Sequence, residues 1–322
     1  MSDSSRVSYE PRLVEEAVFH AVRGHSQERA FHRQKDRLYE TKDPEAREAG
    51  FRGFHGTWFE TLGLARPIVQ ALDEQPSIAA ATRSCQVASA RARPEEGAEL
   101  FVGPAGDALS DRERRWVVIR LSPEALAIPD RVLQFLRHEL LHIADMLDPR
   151  FDYEPRLPEP AAGPAPERLL RDRYRVLWDT TIDGRLMRLG RAPASARPDR
   201  LRDFARTFPM LGAHTEATFA RFFDRDSGTH TDLATFAAHP GPSAPSALAD
   251  PRHPTPGPLP GERCPLCRFP THTFEPEPEG LPAQVLGRIR ADFPAWKPVH
   301  GLCRQCADLY HARTVVAPSV SL

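Results

Sequence analysis

The chain has 322 residues and a net charge of -1, from 43 lysines and arginines against 44 acidic residues. That balance excludes a strongly basic nucleic-acid binder and an acidic tail protein, though not a local basic patch. With 40% hydrophobic and 27% charged residues the composition is that of a globular chain, and the length suits about two domains. No apolar run reaches the roughly 18 residues that cross a bilayer. Met1–Arg6 lacks the apolar core of a secretory signal, so a cytoplasmic protein without membrane contact is expected.

Residues 1–96 read as a helical N-terminal region. Leu13, Val14, Ala17, Val18 and Ala21 recur at helical spacing, as do Phe51, Phe54, Trp58, Phe59 and Leu62. Pro67 before Ile68, Val69, Ala71 and Leu72 marks a further helix. A core over 97–237 follows. Its period first changes to that of strands, at Glu99–Val102 and Trp116–Leu121. Pro129 opens a helix with apolar positions from Val132 to Met146, ending near Asp148. A second long helix is predicted from about Glu167 to Leu189, stopped by Gly190, and shorter ones over about 199–237. The proline density of 238–261 marks a linker. Residues 262–312 form a candidate mini-domain, and 313–322 a tail. The expected class is α+β: a helix-rich core with a small antiparallel sheet, plus a C-terminal module.

The first long helix carries His138-Glu139-Leu140-Leu141-His142, an H-E-x-x-H motif. Residues four apart share a helical face, so His138 and His142 can hold one zinc ion through imidazole nitrogens. Glu139 sits one step round, where its carboxylate can take a proton from a water on the metal. Leu140 and Leu141 should face the core. The bland alternative is a helix with two partly buried histidines and a surface glutamate.

On this motif, and on an acidic pair further on, residues 97–190 resemble the zincin metallopeptidases. The resemblance implies peptide-bond hydrolysis by a zinc-activated water, with Glu139 as general base and a peptide or protein as substrate. It also implies that Trp116–Leu121 is the edge strand receiving the substrate. The metzincin branch would take its third ligand at Asp148, but Asp145 stands where that pattern has glycine. The gluzincin branch takes its third ligand from a later helix. There Asp179 and Asp183 lie four apart. By that resemblance Asp179 ligates zinc and Asp183 orients a ligand histidine, with Asp148 the alternative third ligand. Asp179 is aspartate where the branch has glutamate, one methylene shorter, and a solvated face pairing Asp179 with Arg175 is the other reading. Asp145 is either a supporting residue or surface. Tyr153, Tyr174 and His214 are candidates to stabilise an oxyanion. No serine or cysteine nucleophile motif occurs, and Cys85 reads as a buried small hydrophobe.

Cys264-Pro-Leu-Cys267 and Cys303-Arg-Gln-Cys306 are two C-x-x-C pairs with 35 residues between the inner cysteines. Two such knuckles complete a closed tetrahedral zinc site, so one structural zinc is expected beside the catalytic one. Arg268 replaces the glycine that usually follows the first knuckle. His272, His300 and His311 are expected to be neighbours, since four cysteines saturate the metal. The order of peptidase helix and zinc ribbon resembles the architecture of SprT-like proteases, without their third-histidine pattern. The ribbon could serve a protein or nucleic-acid partner, and the alternative function is a non-catalytic binding protein acting through it.

Overall fold

A computed structural model describes residues 7–104, 109–158, 164–225, 228–241, 263–271 and 273–315. Most of the expected linker, the tail past Val315 and His272 fall outside them. The chain divides into two compact units, Met1–Tyr153 with Ile182–Arg197, and Glu154–Thr181 with Pro198–Leu322.

The first unit begins with β1 (Val7–Tyr9), followed by α1 (Pro11–Val22), α2 (Glu28–Leu38), α3 (Pro44–Thr61), α4 (Arg66–Asp73) and α5 (Pro76–Ala81). Prolines open α1, α3, α4 and α5, where a missing N–H costs nothing. Then come β2 (Ser84–Ser89), β3 (Gly97–Val102), the short α6 (Asp111–Arg114), β4 (Arg115–Leu121) and α7 (Pro129–Leu147). The sheet order is β1-β2-β4-β3, with β1, β2 and β4 parallel and β3 antiparallel to β4.

Two expectations are corrected here. The sheet is mixed rather than antiparallel, because β1 and β2 add parallel pairs. Trp116–Leu121 lies inside the sheet, hydrogen-bonded to β2 on one side and β3 on the other. The edge strands are β1 and β3, and β3 is the one that neighbours α7. Strand β1 is only three residues long, and β2 mixes two serines, a glutamine and an alanine with its buried Cys85 and Val87. Neither carries enough β-branched or aromatic side chains to announce a strand.

Helix α7 packs beneath this sheet. Leu13, Ala17 and Val18 of α1, Val117 and Ile119 of β4, and Leu136, Leu140 and Ile143 of α7 are wholly buried in one core. Each such side chain contributes about 1.5–3 kcal/mol on leaving water, so α7 is held by several residues at once. Leu141 is buried as well.

Helix α8 (Pro164–Arg188) is continuous, and the division between the units falls within it. It ends as expected, with Gly190 at φ +67° and the Arg191 N–H returning to the Leu186 carbonyl. The second unit continues with α9 (Ala196–Thr207), α10 (Thr215–Phe223) and α11 (His230–Ala238). Buried Phe204, Phe208, Phe219, Phe222 and Phe236 form its aromatic core. Beyond lie α12 (Ala283–Asp292) and α13 (Arg304–Val315). Among the described residues no helix is long and apolar enough to cross a membrane.

Candidate metal centres

Both knuckles of the cysteine module form. The first is closed by two backbone bonds, Arg268 N–H to the Cys264 carbonyl at 2.8 Å and Cys264 N–H to the Phe269 carbonyl at 3.0 Å. The second follows Gly301, at φ +67°, and runs into α13. Among the described residues the module's strand pairing consists of isolated bridges, Arg263 with Pro270 and Phe274 with Cys303. Leu266, Val285, Ile289, Trp296 and Leu302 bury themselves against the cysteines.

The sulfurs of Cys264 and Cys306 are 3.9 Å apart and those of Cys267 and Cys303 are 3.8 Å apart. A disulfide requires about 2.05 Å. Four sulfurs around one tetrahedral ion at about 2.3 Å would lie about 3.8 Å from one another. The spacing is therefore that of a metal cage. Burial opposes ionisation of Cys264, but N–H groups of Cys267, Cys303 and Leu266 outweigh it and bring the thiol down to about 7. Burial and the neighbouring sulfurs push Cys306 up. Four clustered sulfurs, three of them buried, cannot all ionise without a cation, and the set fits one. The described His300 and His311 are not part of this group.

The second centre starts on α7. His138 and His142, one turn apart, direct their Nε2 atoms at each other across 3.3 Å. Two nitrogens at about 2.0–2.1 Å from a shared tetrahedral ion would lie about 3.3–3.4 Å apart. On its other side His138 Nδ1 meets Asp183 Oδ1 of α8 at 2.8 Å. A carboxylate accepts only, so Nδ1 carries the proton and Nε2 presents its lone pair. Asp179 lies one turn before Asp183 on the same continuous helix. Ring nitrogens of His138 and His142 and a carboxylate oxygen of Asp179 all fall within 4.8 Å of one another. The guanidinium on Asp179 is that of Arg200, at 3.1 Å, from α9.

Asp148 is exposed at the end of α7 and accepts the Arg150 N–H at 2.9 Å. Asp145 is neither surface nor near the surface: it is 5% exposed and meets Arg185 through both oxygens. Arg137, beside the motif, forks onto Glu74, just past the C-terminus of α4, at 2.8 and 2.7 Å, and this bond holds the Glu74 carboxyl below its ordinary range.

Glu139 points the other way from the histidines' partners, towards the edge strand. Its Oε2 lies 3.4 Å from the Ala98 N–H, and a Cβ on Gly97 would stand 3.6 Å from it. A cleft of about 490 Å³ opens there, lined by residues 94–99 of the β3 approach, Arg120 and Glu139. Glu139 thus lines a groove whose rim is the outer edge of β3, where it meets the Ala98 N–H.

Of the oxyanion candidates, Tyr174 is buried against His230, its hydroxyl 2.7 Å from Nδ1. Tyr153 is half-buried, which pushes its phenol up, and His214 is exposed. Cys85 is buried in β2 and burial pushes its thiol up to about 12, as befits a small hydrophobe. Asp145 was read from sequence as either a supporting residue or surface, and Arg185 and Arg200 were not read as parts of the site, because each pairing spans positions far apart in the chain. Comparison of the chain with protein-family models, with curated proteins and with solved structures found no match.

Proposed function

We propose that the chain is a zinc-dependent peptidase of gluzincin-like type, with a second, structural zinc in its C-terminal ribbon. The observation that carries the reading is the joint arrangement of His138, His142 and Asp183, with Glu139 turned to a cleft beside a sheet edge. The donor sets suit zinc: four thiolates in a closed cage, and two imidazoles with a carboxylate in the other site. When bound at the second site, zinc would polarise the peptide carbonyl and acidify its water.

The chain's own residues supply the rest. Glu139 receives the proton of the attacking water and returns it to the departing amine. Asp183 fixes the tautomer of His138, and Asp179 is the third ligand, with Arg200 holding one side of its carboxylate. Strand β3 is an edge strand that an extended peptide could join in the cleft as a fifth strand, with Glu139 giving up the Ala98 N–H to it. A partner surface on the ribbon is supported by Phe269, which is 73% exposed between the first knuckle and Pro270.

The deciding experiment pairs metal content with turnover. Full-length protein should hold about two zinc ions, and His142→Ala about one. Glu139→Gln should keep both ions and the fold yet lose roughly 10²–10⁴-fold in peptide hydrolysis, since the amide cannot take the proton. Equal turnover in wild type and Glu139→Gln removes this glutamate from the chemistry. Chelator-insensitive or absent turnover across a panel of unfolded proteins favours a binding protein that works through its ribbon.

A further inference from the structure

His138, His142 and Asp145 stand at i, i+4 and i+7 on one stripe of α7. The first meets Asp183 of α8, and the last meets Arg185, two residues further on. The Asp145–Arg185 contact uses both carboxylate oxygens and both terminal guanidinium nitrogens, at 2.7 and 2.5 Å. Such a fork tolerates little rotation or slippage of one helix along the other. It also leaves Arg185 Nε buried without a hydrogen-bond partner. A part-buried pair that strands one of its own buried donors is poorly designed for stability, since apolar residues of equal volume would fill the space without that loss. Its directionality is what an apolar contact could not reproduce.

We infer that the Asp145–Arg185 fork is a positioning device, which sets where α8 presents Asp183 to His138 and so which nitrogen of His138 carries the proton. Neither residue belongs to the His138, His142 and Asp179 group. The fork acts through Asp183, whose carboxylate must stay within hydrogen-bond reach of Nδ1 for Nε2 to remain a lone pair. The inference rests on the proposed metal site for its affinity readout, but not for its tautomer readout.

The test removes both charges together, in Asp145→Leu with Arg185→Met, so that no orphaned charge unfolds the core. Imidazole nitrogen NMR of His138, assigned with His138→Gln, is recorded with the ribbon filled by zinc and the other site empty. Wild type should show the Nδ1–H tautomer, and the double variant a mixture of tautomers. Chelator competition with zinc should then show a 10–100-fold weaker second site, as losses of supporting groups typically give, with ribbon zinc and thermal midpoint kept. A folded double variant with wild-type tautomer and affinity overturns the inference. Should the double variant not fold, Arg185→Lys, which keeps the charge and loses the fork, is judged by the same two readouts. A wild type that takes no second zinc refutes the metal reading instead, while the tautomer comparison still decides the role of the fork.

Discussion

Arg268, at φ +64°, gives its N–H to the Cys264 carbonyl at 2.8 Å, so the first knuckle closes through a left-handed residue that carries a side chain. L residues enter this region at a cost of roughly 1–2 kcal/mol, and glycine does not pay it. Arg268→Gly should therefore stabilise the ribbon by about 1 kcal/mol, read as a higher chelator concentration at half-unfolding. Arg268→Val, branched at Cβ, should lower it. A glycine variant weaker than wild type would mean that the Arg268 side chain contributes more than its backbone costs.

The acidic residues near the motif should separate cleanly. Asp179→Ala should empty the histidine site of zinc. Asp183→Ala should retain zinc with roughly 10–100-fold weaker affinity, because it orients a ligand. Asp148→Ala should change neither, being exposed and engaged with the Arg150 N–H. Zinc lost from Asp148→Ala alone would transfer the third-ligand role to that residue.

His55 gives the N-terminal helices an acid sensitivity. It is 5% exposed among Phe19, Phe31, Phe51 and Phe54, and burial lowers its pKa. With the folded value below the unfolded one, the unfolded chain binds the proton first as pH falls. Stability should be intact above the ordinary histidine pKa of about 6.5 and decline below it. His55→Phe, which suits the aromatic surroundings, should flatten the dependence of the urea midpoint between pH 7.5 and 5.5. An unchanged slope would assign the acid loss to other groups.

Thiol reactivity should divide the five cysteines. In metal-loaded protein, alkylation at neutral pH should label almost none of them. After chelation, Cys264, Cys267, Cys303 and Cys306 should react within minutes. Cys85, with its thiol pushed up to about 12 and buried in β2, should react only on global unfolding. Mass mapping of the labelled peptides makes the distinction, and early labelling of Cys85 would show that β2 opens locally.

What could be read in the chain was whatever is local. The i, i+4 spacing of His138 with His142 and of Asp179 with Asp183 puts each pair on one face by helix geometry alone, and the structure has both pairs there. The cysteine knuckles are similarly short-range. Strand β4 could not be recognised as internal, because that depends on β2, whose Ser84–Ser89 sequence is not strand-like. The partner of Asp179 illustrates the same limit: one helical turn suggested Arg175, whereas the guanidinium that reaches it comes from Arg200 on another helix. Asp145 looked ambiguous for this reason too, since only the crossing of α7 and α8 supplies Arg185.

The register of the sheet has a consequence for how the chain reaches this state. Val7 of β1 lies beside Cys85 of β2, and Ser84 beside Trp116 of β4. Parallel pairing over such separations makes the N-terminal unit a high-contact-order problem, in which a long loop must close before any strand contact repays it. Helices α1 to α5, formed within the intervening stretch, shorten the effective search. On the proposed reading the ribbon faces a different barrier, because its small core would depend on an ion arriving rather than on a loop closing. One chain therefore carries two clocks: one set by topology, the other by the free metal concentration around it.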